Sequence, residues 1–132
     1  MRFTSRLFPA LALSAALTAC AANKPAPPPA PVVPALTPDQ VDGVFRGTST
    51  RFRADSRTCP SPGLVVLRVM GGQFEYRWNG RTKVPASIAP DGTVQGSTGA
   101  ITLTGKLLDG KIEGDVVSDN CSLHFRAVKR PH

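Results

Sequence analysis

The sequence predicts an all-β domain folded as an antiparallel meander, and its tight turns carry that prediction. Between residues 43 and 130 no window of about 11 residues shows a helical stripe; instead, short runs rich in Val, Ile, Leu, Phe and Thr alternate with glycines and turn dipeptides. Placing Asp109-Gly110 at the centre of a two-residue hairpin sets Leu107 opposite Ile112 and Leu103 opposite Val116, with Lys106 opposite Glu113 on the other face. Asp119-Asn120 turns the chain again. It sets Leu123 opposite Val116, Phe125 opposite Gly114 and Ala127 opposite Ile112, while His124 and Arg126 meet Asp115 and Glu113 outside. Both turns assign the same face of 112–116 to the core, and a one-residue slip in either would have reversed it. A third turn, Gly71-Gly72, gathers Val65, Leu67, Val69, Phe74, Tyr76 and Trp78 on one face, with Val69 facing Phe74 and Arg68 facing Glu75.

Taken from the start, the chain opens with Arg2 and Arg6 and an almost uninterrupted apolar run from Leu7 to Ala19. This run falls short of the about 20 residues that span a bilayer and has the layout of an export signal. It ends in Leu17-Thr18-Ala19-Cys20. These residues resemble the lipobox of bacterial lipoproteins, in which a leucine stands three before the cysteine and a small residue one before it. The resemblance implies a signal peptide over 1–19 and a mature chain beginning at Cys20. Cys20 would carry a diacylglycerol on its thiol and an acyl chain such as palmitate on its amine. Several chains make a stable membrane anchor, at about 0.8 kcal/mol per buried methylene. Ala21 stands where an aspartate would be the usual inner-membrane retention signal, so the resemblance places the protein on the outer membrane, facing the periplasm.

From Ala21 to about Gln40 the chain holds Pro25, Pro27, Pro28, Pro29, Pro31, Pro34 and Pro38 among Ala and Val. Such a stretch reads as extended polyproline II or disorder, not as helix or sheet. Residues 20–42 are therefore expected to be the lipidated cysteine and a spacer, reaching roughly 60 Å at about 3.1 Å per residue. The folded domain is expected over 43–130.

Eight strands are expected in that domain: 44–53, 64–70, 73–79, 83–89, 93–97, 100–107, 111–117 and 121–128, with Pro90-Asp91-Gly92 turning the chain between the fourth and fifth. All connections are short. An up-and-down meander of this kind is most simply closed as a small barrel, which removes its edges; a two-sheet sandwich of the same strands is the alternative. Gly105 and Gly114 fall opposite each other on the inner face beside Phe125, where they either admit a ring or allow tight curvature. An eight-stranded barrel holds packed side chains or one small ligand, and the short strands favour packing.

With Cys20 lipidated, Cys59 and Cys121 are the cysteines that remain, in an oxidising compartment. Cys59 ends the loop after the first strand and Cys121 opens the last. These ends are neighbours in a closed meander, so a Cys59–Cys121 disulfide is expected.

The sequence argues against most chemistry. Metal binding needs a cluster of ligands, and His124 and His132 have no companions. No serine is placed beside a base, and Asp91, Asp109 and Asp119 sit in turns, where carboxylates cap backbone N–H groups. No glycine-rich loop opens a helix to cradle phosphates. The expectation is a protein that is not an enzyme and carries no metal or cofactor.

Binding remains. Arg2 and Arg6 are two of the 16 Lys and Arg residues, which leaves 14 against 9 acidic residues after cleavage. Of the basic residues, Arg46, Arg51, Arg53, Arg57, Arg77 and Arg81 crowd the first third of the domain and the 77–83 turn. Arg51, Arg53 and Arg77 are taken as a candidate basic face. Export makes nucleic acid an unsuitable partner, so the expected partners, besides the membrane, are peptidoglycan or an acidic envelope protein.

The domain is also similar to small secreted β-domains of alphaproteobacteria. It shares with them a cysteine before a Val-rich strand (Cys59), the Gly71-Gly72 and Asp91-Gly92 turns, the run from Gly105 through Gly114, and a late cysteine (Cys121). That resemblance implies the fold alone. In outline the chain is similar to bacterial lipoprotein inhibitors of lysozyme and of proteases, which are small disulfide-containing β-barrels, although no inhibitory motif matches residue by residue. The sequence therefore predicts an outer-membrane-anchored binding or envelope-structural module, with a periplasmic inhibitor of a protease or other hydrolase as the alternative.

Overall fold

The structure, a computed structural model, describes residues 25–29, 31–55 and 57–131; Cys20 and the stretch expected to direct export lie outside them. The chain divides at Pro31 and Val32 into two units. In the first, residues 25–29 and Pro31 are exposed and lack regular secondary structure. The second contains a short helix, α1 (Pro38–Val41), and eight strands: β1 (Gly43–Ala54), β2 (Leu64–Val69), β3 (Gln73–Arg77), β4 (Lys83–Ile88), β5 (Thr93–Thr98), β6 (Ile101–Leu108), β7 (Lys111–Ser118) and β8 (Cys121–Lys129).

All eight strands join one antiparallel sheet in the order β2-β1-β8-β7-β6-β5-β4-β3. The sheet coils on itself until it nearly closes into a barrel, so the sandwich alternative does not apply. Leu107 pairs with Ile112, Leu103 with Val116, and Val116 with Leu123, as the two turns require. Asp109 and Gly110 both have positive φ, at 50° and 70°, as do Gly71 and Gly72, at 59° and 72°, which is the backbone that a two-residue hairpin turn uses to follow strand twist.

The long first strand holds the coil together. It pairs with β2 through Gly43–Thr48 and with β8 through Phe45–Ala54, with a register shift between Arg51 and Arg53. Alternate side chains from the strands fill the interior, and Phe45, Phe125, Leu67, Leu103, Ile112 and Leu123 are among those almost completely excluded from water. At roughly 1.5–3 kcal/mol for each large apolar side chain, this burial is the main favourable term in folding. Both expected uses of Gly105 and Gly114 are visible. A Cβ on Gly105 would lie 2.3 Å from the Glu113 carbonyl oxygen, and one on Gly114 would lie 2.5 Å from the Thr104 carbonyl oxygen and 3.0 Å from the Phe125 ring.

Two features depart from the sequence reading. The first is α1, which falls in the Pro-rich stretch expected to be free of helix. Pro38 occupies the first turn, where its missing N–H costs nothing, and the Thr37 N–H donates to Gln40 Oε1 at 2.9 Å. Val41 is buried and Leu36 packs on the core, so the end of the expected spacer plugs one end of the barrel. The Asp42 carboxylate accepts the Gly72 N–H at 2.9 Å, and the Leu36 N–H donates to the Pro90 carbonyl at 2.9 Å.

The second departure is the hairpin expected across Gly71-Gly72. Met70 and Gln73 exchange both backbone hydrogen bonds, at 2.9 and 3.1 Å, but the Val69–Phe74 and Arg68–Glu75 pairings beyond them do not form. β2 and β3 instead stand at the two ends of the sheet. Their side chains make contacts elsewhere. Glu75 pairs with Lys83 on β4 at 2.9 Å, and the Tyr76 ring packs across the interior on Phe125 of β8, with centroids 5.1 Å apart.

The disulfide lies at the end of the barrel away from α1. Cys59 bonds Cys121, with Cα atoms 5.3 Å apart, and ties the loop after β1 to the first residue of β8. Nearby, the Asp55 N–H donates to the Asn120 carbonyl at 2.9 Å, so the same loop is fastened twice.

Candidate functional site

The place where the barrel fails to close is also a concavity. A cleft of about 1290 Å³ runs along the seam between β2 and β3. Its floor comes from the inward faces of both strands: Leu67 from β2, Phe74 and Tyr76 from β3, and Trp78 just beyond β3. Ser49 of β1 lies at the same level. Its hydroxyl accepts the Gly63 N–H at 3.1 Å and hydrogen-bonds the Tyr76 phenol. Burial pushes the Tyr76 phenol above its ordinary pKa, and the Ser49 hydrogen bond offsets part of that rise, so at neutral pH the group is a neutral donor and acceptor in an apolar floor.

The rim is basic. Arg46 from β1, Arg68 from β2, Arg77 from β3 and Lys83 from β4 border the cleft, with Glu75 as the acidic residue among them. Glu75 is taken by Lys83, whereas among the described residues no carboxylate pairs with Arg46, Arg68 or Arg77. Three planar guanidinium groups therefore face water around an opening with aromatic walls. Such groups suit a partner presenting carboxylate or phosphate oxygens.

The seam also exposes backbone. The Ser49 N–H donates to the Gly63 carbonyl, and the Arg130 N–H to the Val44 carbonyl. Thus the odd-numbered residues of β1 bond to β2, and residues 63, 65, 67 and 69 of β2 turn their polar backbone toward β1. Residues 64, 66 and 68 must point theirs the opposite way, into the seam. On β3, the Ile88 N–H donates to the Gly72 carbonyl and the Trp78 N–H to the Thr82 carbonyl, which leaves Glu75 and Arg77 facing the seam from the other side. Among the described residues none of these five has a ladder partner.

The candidate basic residues read from the sequence fall in two places. Arg77 lies on the rim. Arg51 and Arg53 lie on β1 beyond its pairing with β2, beside the irregularity that also leaves Phe52 exposed. The Arg53 guanidinium is engaged, pairing with Asp55 at 3.0 Å and donating to the Asp119 carbonyl. Arg68 was concealed in the sequence by its expected pairing with Glu75. Cys20 is outside the described residues. No group of three or more His, Cys, Asp or Glu able to hold a metal occurs among the described residues. His124 pairs with Asp115 at 2.8 Å across β7 and β8, on the outer surface.

No protein-family model matches the chain, and comparisons with curated proteins and with solved structures find no match.

Proposed function

We propose that this chain is a lipid-anchored, non-enzymatic binding module of the periplasmic face of the outer membrane, and that the β2/β3 seam is where it takes an anionic envelope partner. The anchoring part rests on Leu17-Thr18-Ala19-Cys20 and on the proline-rich residues after it. The binding part is carried by one observation: Arg46, Arg68 and Arg77, without acidic partners among the described residues, border an open cleft whose floor holds Tyr76 and Trp78. Charge at the rim sets encounter and orientation, and the aromatic floor, already almost fully buried, fixes the shape that a partner must match.

Co-sedimentation with purified peptidoglycan sacculi, and mass spectrometry of the mature N-terminus, test the two parts separately. The expected outcomes are a lipid-modified Cys20 and binding that weakens steeply between low and physiological salt. Arg68→Ala or Arg77→Ala should weaken binding further, and Arg53→Ala, whose guanidinium is already held, should weaken it less. An unmodified N-terminus would remove the anchor. Salt-insensitive, stoichiometric suppression of a purified hydrolase would replace this reading with an inhibitor.

A further inference from the structure

The seam offers more than charge. An open sheet edge is a template for another strand, and proteins usually blunt such edges with lysines, prolines or short strands. β2 does the opposite. Its outward row holds Leu64, 79% exposed, and Val66, 41% exposed, beside Arg68, with Met70 just beyond the strand also exposed, and its backbone at 64, 66 and 68 is unpaired among the described residues. β3 presents a second open edge at Glu75 and Arg77. The Met70–Gln73 rung holds the two strands together at the turn, so the seam has a closed end there and opens away from it. Resting on the reading of the seam as the binding cleft, we propose that its occupant is an extended peptide strand of a partner protein, which adds antiparallel or parallel to the free edge of β2 and carries apolar residues alternating with acidic ones.

The alternation comes from the two faces that such a strand would have. Successive side chains on a strand point to opposite sides. One set would drop onto Leu67, Tyr76 and Trp78, which suits apolar groups. The other would stand outward between Arg46 and Arg68 on one side and Arg77 on the other, which suits carboxylates. Backbone hydrogen bonds supply sequence-independent affinity in this mode, and the alternate side chains supply selection. A lipid headgroup or a glycan can meet the arginines and bond single backbone groups, but it does not repeat donor and acceptor at the two-residue spacing of 64, 66 and 68. A strand does both.

Trp78 is the chain's single tryptophan and part of the cleft floor, so its emission reports occupancy directly. The probe is a capped eight-residue peptide of alternating valine and glutamate. It should shift Trp78 emission saturably and slow amide exchange at Leu64, Val66 and Arg68, which exchange quickly in the free protein, while amides at 65 and 67 are protected throughout. Two versions of the peptide, N-methylated at every glutamate or at every valine, each lose the N–H groups of one edge; at least one should bind about tenfold more weakly. Val66→Pro removes an N–H that points into the seam and not toward β1, a position where an edge strand tolerates proline, and should weaken binding about tenfold. Val66→Ala keeps the N–H and should weaken it less. If Val66→Pro does not fold, the N-methylated peptides decide the matter alone. Binding without protection at 64, 66 and 68, or binding by both N-methylated peptides as tight as by the parent peptide, overturns strand addition. Failure of the peptide while sacculi still bind through Arg68 and Arg77 overturns it and leaves the anionic-cleft reading standing. Failure of both probes removes both.

Discussion

Glu113 on β7 shows how the outer surface of this sheet is organised residue by residue. Its carboxylate is held by Arg126, its cross-strand partner on β8, with Lys111 on the same strand 3.9 Å away. The hydrogen bond from Arg126 holds its pKa below the ordinary carboxylate value; partial burial pushes the other way, and the charges of Arg126 and Lys111 add to the lowering. Asp91 is lowered as well, first by the Thr93 N–H that donates to it at 2.9 Å. A carboxylate whose folded pKa is depressed stabilises the fold fully above its unfolded pKa, and that contribution disappears as pH falls through the folded value. The melting temperature should therefore be flat from pH 7 to about 5 and fall below about pH 4. Glu113→Gln should lower stability slightly at neutral pH and flatten the acid limb, which a pH series of thermal melts would show. An unchanged acid limb would mean that the Arg126 contact is too solvated to matter.

At the scale of elements, β6, β7 and β8 were legible in the sequence because separate constraints met on the same residues. Asp109-Gly110 and Asp119-Asn120 each fix a register, and both registers bury Ile112, Gly114 and Val116. The Gly105–Gly114 contact is the sharpest consequence, since the backbones approach more closely there than a side chain allows. Gly105→Ala should destabilise by about 1–3 kcal/mol, the range for overpacking a filled interior, with denaturant midpoints as the measurement. Stability within about 0.5 kcal/mol of the parent, the ordinary scatter of a neutral substitution, would show that the Glu113 strand can retreat. The β2/β3 seam was not legible, for a physical reason. Alternation of buried and exposed residues reports which face of a strand is inside, and Val65, Leu67, Val69, Phe74, Tyr76 and Trp78 are inside whether or not the two strands pair. Gly71-Gly72 announces a turn, but one rung satisfies a turn. Beyond that rung the two strands part, with Glu75 paired to Lys83 and Tyr76 packed on Phe125, contacts between residues that sequence proximity does not connect. The same limit hid α1. Proline spacing gives no sign that Leu36 and Val41 meet apolar surface, and that surface exists only once the barrel has formed.

For the whole molecule the question is how a domain of this size stays folded with its sheet open along one side. A closed barrel would gain the remaining rungs between β2 and β3; here those backbone groups face the cleft. Two fastenings compensate at the barrel's ends: α1 with Leu36 at one, and the Cys59–Cys121 bond at the other. The disulfide joins residues 62 apart, and closing a loop of that length in the unfolded chain is worth about 4 kcal/mol on the entropy account, whose mechanism is disputed. Small domains have roughly 5–15 kcal/mol in total, so the bond is a large share of the stability. The position of the bond matters as much as its magnitude. It secures the loop between β1 and β2 to the start of β8, the two neighbours of β1, and β2 is the strand that carries the free edge. Reduction should lower the melting temperature by about 20 °C, at roughly 4–8 °C per kcal/mol for a domain of this size. Well below that midpoint it should also accelerate amide exchange across the β1–β2 ladder more than across β6–β7, because the loop released is the one that positions β2. Paired thermal melts and exchange maps with and without reductant measure both. A uniform loss of protection would mean that the disulfide acts only through the unfolded state; preferential loss at β1–β2 would show that it also holds the seam's edge in place.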